Sequence, residues 1–179
     1  SSTGHGMANG AIGYFSDTTE GMNELAGAAF SVANQATSTF ELQAENTTSY
    51  GTFTSGTFTP VLTWSTLSTA TSYSIGDAAA DQIDTTTLLD RLKQSEIGLL
   101  ASQTVTIEGF SDPQSAAALL IRAAALNVSY VVVRITLSNG ERRIFRGMPS
   151  LPGESLSVGQ KATGSLTFSV RGKVGMLVA

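Results

Sequence analysis

The sequence predicts a mainly β protein: a β-sandwich or barrel of two antiparallel sheets flanked by one α-helix at about 112–126. An extended N-terminal arm and long loops complete the expectation. Three observations carry it. Only 13% of the 179 residues are charged, and Ser, Thr and Gly fill the gap, a composition that suits strands and loops better than solvated helices. Several short runs alternate apolar and polar residues with the two-residue period of a half-buried strand. One Ala- and Leu-rich run gives the strongest helix signal, with strands before and after it, the order of a sandwich carrying a helix on its side.

Hydrophobic residues make up 41% of the chain, enough for one domain with a real core. "SSTGHG" ahead of Met7 reads as a leftover cloning leader over 1–6, which sets His5 aside from chemistry. Residues 7–50 are rich in Ala, Gly, Ser and Thr and weakly periodic. They read as an N-terminal arm or an extra layer, with a short helix in "GMNELAGAAFSVANQ" and strand pieces in "STFELQAENTTSYGTFTSGTF". Residues 51–179 read as the sandwich domain.

"TFTPVLTWSTL" is β-branched and aromatic and predicts a strand over 57–67. Pro60 places that strand at an edge or at its own start. Further strands are expected at about 72–75 and 81–86, and "DRLKQSEIGLLASQ" reads as a loop with a helical turn. "TVTIEGF" alternates cleanly, with Val105 and Ile107 on one face and Thr104, Thr106 and Glu108 on the other. In the helix, Ser111 reads as the N-cap of a capping box with Gln114, and Pro113 sits just inside. Leu119, Ile121 and Leu126, with several alanines, are its expected buried side, and Asn127 its left-handed close.

"SYVVVRITLSNGERRIFRGMPSLP" reads as a hairpin around Asn139-Gly140. A two-residue turn would put arginines on the core face. A three-residue loop, Ser138-Asn139-Gly140, pairs Val133 with Phe145 inside and gathers Arg134, Arg142, Ile144 and Arg146 outside, so the hydrophobic pattern selects that register. Arg143 falls near the tip. "MPSLPGES" breaks the pairing. "ATGSLTFSVRG" closes the fold, with Leu166, Phe168 and Val170 inward.

Catalytic sets are missing. The chain has no Cys and one His, which removes disulfides, thiol catalysis, Ser-His-Asp arrangements and cysteine zinc sites. Neither a P-loop nor a dinucleotide fingerprint is present. Asp81, Asp84 and Asp90 could hold a cation, but their spacing is not that of an EF-hand loop, and no carboxylate pair is singled out for glycoside hydrolysis. No enzyme activity and no cofactor are expected. No run reaches the length of a transmembrane helix, and no signal peptide is expected.

Charge is distributed unevenly. Residues 1–90 hold nine acids and no Lys or Arg, whereas 91–179 hold all ten bases and five acids. Such a split points to a partner or a field. The arginine face has three readings: phosphate binding, contact with acids on another copy, and a plain solvated strand face. Few aromatics accompany the arginines and the whole chain is acidic, both of which weigh against nucleic acid.

"RITLSNGERRIFRGMPSLPGESLSVGQKATGSLTFSVRGKV" resembles the C-terminal part of the tail tube proteins of long-tailed (siphovirus-type, lambda-like) bacteriophages. An NG turn, a returning strand ending in Phe145-Arg146-Gly147 and a closing strand near Gly172 carry the likeness. "DQIDTTTLLD", "QTVTIEG" and the helix "DPQSAAALLIRAAAL" follow the family's order upstream, so it spans about 58–174. The resemblance implies a structural virion protein whose copies close into hexameric rings, which stack head to tail into a hollow tube for DNA. Its partners would be other copies, the tape measure, the tail tip and the terminator. It would reside in the virion tail after synthesis in the host cytoplasm. The loop at about 86–102 would make ring-to-ring contacts. Expected interface residues are Arg134, Arg142, Arg143 and Arg146, with Asp81, Asp84, Asp90, Arg91, Lys93 and Glu96. A tail terminator, a decoration protein and a monomeric ligand-binding sandwich remain as alternatives.

Overall fold

A computed structural model of the chain describes residues 5–17, 19–89 and 91–178. Among them the strands are β1 (Ile12–Phe15), β2 (Ala29–Ala33), β3 (Glu41–Leu42), β4 (Phe58–Pro60), β5 (Ala70–Ile75), β6 (Ala80–Asp84), β7 (Ser95–Leu100) and β8 (Thr104–Phe110). The helix α1 (Ala116–Leu126) follows, then β9 (Val131–Thr136), β10 (Arg142–Pro149), β11 (Gly153–Ser155) and β12 (Thr163–Leu177). The fold is mainly β, as expected, and all the pairings are antiparallel.

The central sheet runs β5-β8-β12-β10-β9, with β11 added to β12. Its inner face follows from alternation. Val105 and Ile107 of β8, Phe145 of β10 and Phe168 and Val170 of β12 form one buried cluster with Ile121 of the helix. Phe145 and Phe168 meet edge to face at 5.7 Å and are essentially inaccessible to water. Burial of such rings contributes about 1.5–3 kcal/mol each. The β9–β10 hairpin has the expected register, Val133 opposite Phe145 and Arg134 opposite Ile144.

The second sheet, β3-β2-β1-β4, covers the other face. Ile12 and Ala29 from it pack on Ile144 and Leu177 of the central sheet. A cluster of Phe15, Leu25, Ala28 and Phe30 fills its far side, with Phe58 edge-on to Phe15. β6 and β7 form a two-stranded sheet of their own.

Local expectations are corrected at several points. The short helix expected in 21–35 is a 3-10 turn, Asn23–Leu25, followed by strand β2. β2 is buried on both faces, so its apolar run has no two-residue period to read. The segment 90–103 holds strand β7, not a helical turn. The strand expected over 57–67 is only β4, at a sheet edge, with Pro60 as its last residue. Ser111 does not cap the helix, which begins only at Ala116; it lies at the sheet edge, its N–H donating to Ala162 O at 2.9 Å. Ser115 caps instead, its hydroxyl accepting from the Ala118 N–H at 3.3 Å. The buried helix side is Ile121, as expected, with Ala117 and Ala124, whose small size permits close approach, while Leu119 and Leu126 face outward. Asn127 is not left-handed; Val128 is, at φ +51°, and the Ser129 N–H closes the end on Ala124 O. β10 pairs onward through Pro149, and β11 resumes pairing at Gly153, so "MPSLPGES" breaks the ladder only briefly.

Candidate functional site

The ten residues singled out in the sequence fall into two places. Arg134, Arg142, Arg143 and Arg146 lie on β9 and β10. Asp81, Asp84, Arg91, Lys93 and Glu96 lie on the β6–β7 hairpin or its connection. Asp90 lies outside the described residues.

On β10, residues on the Ile144 face meet the second sheet. Arg146 is carried under that layer and its side chain is only 12% exposed. Its Nη1 donates to Asp17 Oδ1 at 2.6 Å and to Gly27 O at 3.3 Å. The guanidinium stacks 4.6 Å from the Tyr14 ring and 4.7 Å from the Tyr130 ring. Arg171 joins from β12, with Nε 3.5 Å from the same Asp17 oxygen. Gly27 makes the room: at φ +70°, a Cβ there would meet Arg171 Nε and Asp17 Oδ1 at 2.7 Å. A short hydrogen bond to a carboxylate between two aromatic faces is a strong arrangement for arginine. It joins the acidic half of the chain to the basic half within one subunit.

The remaining arginines differ in their use. Arg143 donates to Glu141 Oε2 at 2.8 Å. Arg134 lies 4.6 Å over the Trp64 ring. Arg142 lines a hollow with Asn9, Gln43 and Leu177, and its side chain makes no ion pair among the described residues. A further acid–base pair ties the layers together: Lys173 Nζ sits 2.6 Å from Glu45 Oε1 and 3.1 Å from Tyr50 Oη. Burial pulls the Lys173 ammonium down, but the hydrogen bonds and negative charge of Glu45 and Tyr50 outweigh it and leave its pKa above the ordinary value.

The β6–β7 hairpin shows what charge-reading missed. Its charged groups are ordinary solvated ones: Lys93 Nζ lies 3.3 Å from Asp84 Oδ2, both well exposed. The Thr86 hydroxyl and N–H bonds hold the Asp84 carboxyl below its usual pKa, with a smaller contribution from Lys93. The apolar side chains are the unusual part. Leu88 and Leu89 are 106% and 93% exposed, and Leu92, Ile97, Leu99 and Leu100 stand nearly as free. Soluble monomers rarely keep contiguous apolar surface of this kind without a use for it.

Among the described residues, no three or more His, Cys, Asp or Glu side chains gather as a metal site. No helix is long and apolar enough to cross a membrane.

The family described as phage tail tube protein, TTP, matches residues 20–179. The chain belongs to that family. Its members are structural proteins of the phage tail, and the chain is a tail tube component of that kind. No curated protein matches it. Among solved structures, it is similar to a chain in the tail of an empty GTA particle computed with helical refinement in C6 symmetry. The identity there is 15%, over 64% of this chain and 85% of that chain, with a TM-score of 0.47.

Proposed function

We propose that this tail tube protein polymerises as stacked, hexameric rings around a lumen through which DNA passes, without catalysis and without a cofactor. The observation that carries the proposal is the β6–β7 hairpin. It leaves the body as a separate two-stranded sheet and exposes a run of leucines that gain nothing in water. Contact with the next ring would cover them. Asp81, Asp84, Asp90, Arg91, Lys93 and Glu96 would rim that contact and set its register.

Arg134, Arg142 and Arg143 would lie at the neighbouring-copy contact. Arg146 supports it from within by holding the two sheets together through Asp17. Head-to-tail contacts join two different patches: around the axis they would close into a ring, and along it they would repeat without closing and yield a filament. Acids left unpaired on the inner wall would repel phosphate and keep DNA sliding. The tape measure, tail tip and terminator would be the other partners, met in the host cytoplasm before the tail joins the virion.

The test replaces Leu88, Leu89 and Leu92 together by Ser. Tube formation, followed by light scattering and negative-stain microscopy, should be lost while the urea midpoint of the subunit stays unchanged. Normal tubes from this variant would remove the proposal's basis.

A further inference from the structure

The hairpin needs a receptor, and the same chain offers one. A hollow of about 340 Å³ opens between the first turns of α1 and the ends of β8, β11 and β12. Its apolar wall includes Leu67, Ile107, Phe110, Pro113, Leu151 and Leu166. It is about twice the ~150 Å³ apolar cavity that takes up a benzene ring, so two leucine side chains fit. Its rim carries Glu108, Asp112 and Glu154 against Arg122. That surplus of negative charge suits Arg91, which stands exposed next to Leu92 on the hairpin.

Position matters more than size. β5 and β8 pair along their lengths, Ala70 opposite Gly109 and Ile75 opposite Val105. The hairpin leaves after Ile75 and returns before Thr104, at one end of this ladder. The hollow lies at the other end, lined by Ala70, Gly109 and Phe110. A six-residue strand spans roughly 20 Å, so the root of the hairpin and the hollow are separated by about that length of ladder. A projection at one end and a matching recess at the other are the two halves of a head-to-tail contact.

We infer that the hollow beside α1 receives two leucine side chains from the 88–92 segment of the next copy along the tube, drawn from Leu88, Leu89 and Leu92. This rests on the stacking proposed above and adds the receptor to it. The open ends of a tube would then be unlike, one showing hairpins and the other empty hollows.

Cysteine chemistry tests it cleanly, because the chain contains no cysteine. Leu89→Cys supplies the projection and Leu151→Cys the rim, and a disulfide forms only when their Cα atoms come within about 7 Å. The double variant, oxidised under assembly conditions, should give a ladder of dimers, trimers and longer species on a non-reducing gel. A mixture of the two single variants should stop at dimers, and each single variant should give none. The mixture also serves if the double variant folds poorly. Tubes in the microscope with no hairpin-to-rim link would overturn the receptor assignment and leave the tube standing. Self-linking of the Leu89→Cys variant would overturn it in favour of a tip-to-tip contact. Absence of both tubes and links would overturn the inference together with the stacking it rests on.

Discussion

Arg146 gives the sharpest prediction about how the subunit is held together. Arg146→Ala removes a charge-assisted hydrogen bond, typically about 1.5–3 kcal/mol, and two cation–π contacts of about 0.5–2 kcal/mol each. Those figures overstate the loss here. The Asp17 side chain is 45% exposed, and Arg171 remains 3.5 Å away to take over part of its charge. Solvent therefore screens the pair and rehydrates the orphaned carboxylate. A destabilisation of about 3 kcal/mol is expected, a large share of the roughly 5–15 kcal/mol that holds a domain folded. Asp17→Asn, which keeps the shape, should lose about 1 kcal/mol, and the double variant should show less than the sum because the two residues touch. The assay is urea unfolding of dispersed subunits, read as a shifted midpoint at constant slope. If Arg146→Ala left the midpoint within about 0.5 kcal/mol of the parent yet blocked assembly, the reasoning would be refuted. The arginine would then spend its charge between copies.

Three further outcomes are expected. Arg142→Glu should reduce tube formation without moving the urea midpoint, since that side chain makes no ion pair among the described residues of its own chain; unchanged tubes would take it out of the interface. Val128→Gly should raise stability by about 0.5–1 kcal/mol, because a β-branched residue at φ +51° is strained and glycine is not; a lower melting temperature would contradict this. Lys173 is raised above 10.5 in the fold, so its contribution is full below pH 10.5 and is lost as pH climbs through the folded value. Lys173→Met should therefore flatten the alkaline fall in the unfolding midpoint, and parallel pH curves for the two proteins would argue against that linkage.

How much could be read from the sequence depended on burial geometry. β8 was legible because one of its faces is buried, so period two is visible; the register of the β9–β10 hairpin was legible because a one-residue slip would drive arginine into the Phe145 core, although its other face, with Ile144, is also buried, under the second sheet. β2 was not, because packing on both faces erases the alternation. β7 was hidden for the opposite reason: most of its side chains are exposed on both faces, and Ile97, Leu99 and Leu100 then look like a patternless apolar stretch. The helix was found, with Ile121 and alanines on its buried side as expected, but its cap was not, and Leu119 and Leu126 face outward. Ala117 and Ala124 are buried beside Ile121, small residues that allow close approach to the sheet. The charge split was plain in composition, yet its partial resolution inside one subunit was not. Asp17 and Arg146 lie 129 residues apart, and only the stacking of the two sheets brings them together.

The most direct test of the central claim is negative-stain electron microscopy of the purified protein over a concentration series, with and without tail-tip complexes as nuclei. Hollow tubes with a regular axial repeat are the result expected of a subunit that stacks through its β6–β7 hairpin. Dispersed monomers or single rings at every concentration, with nuclei present, would contradict it.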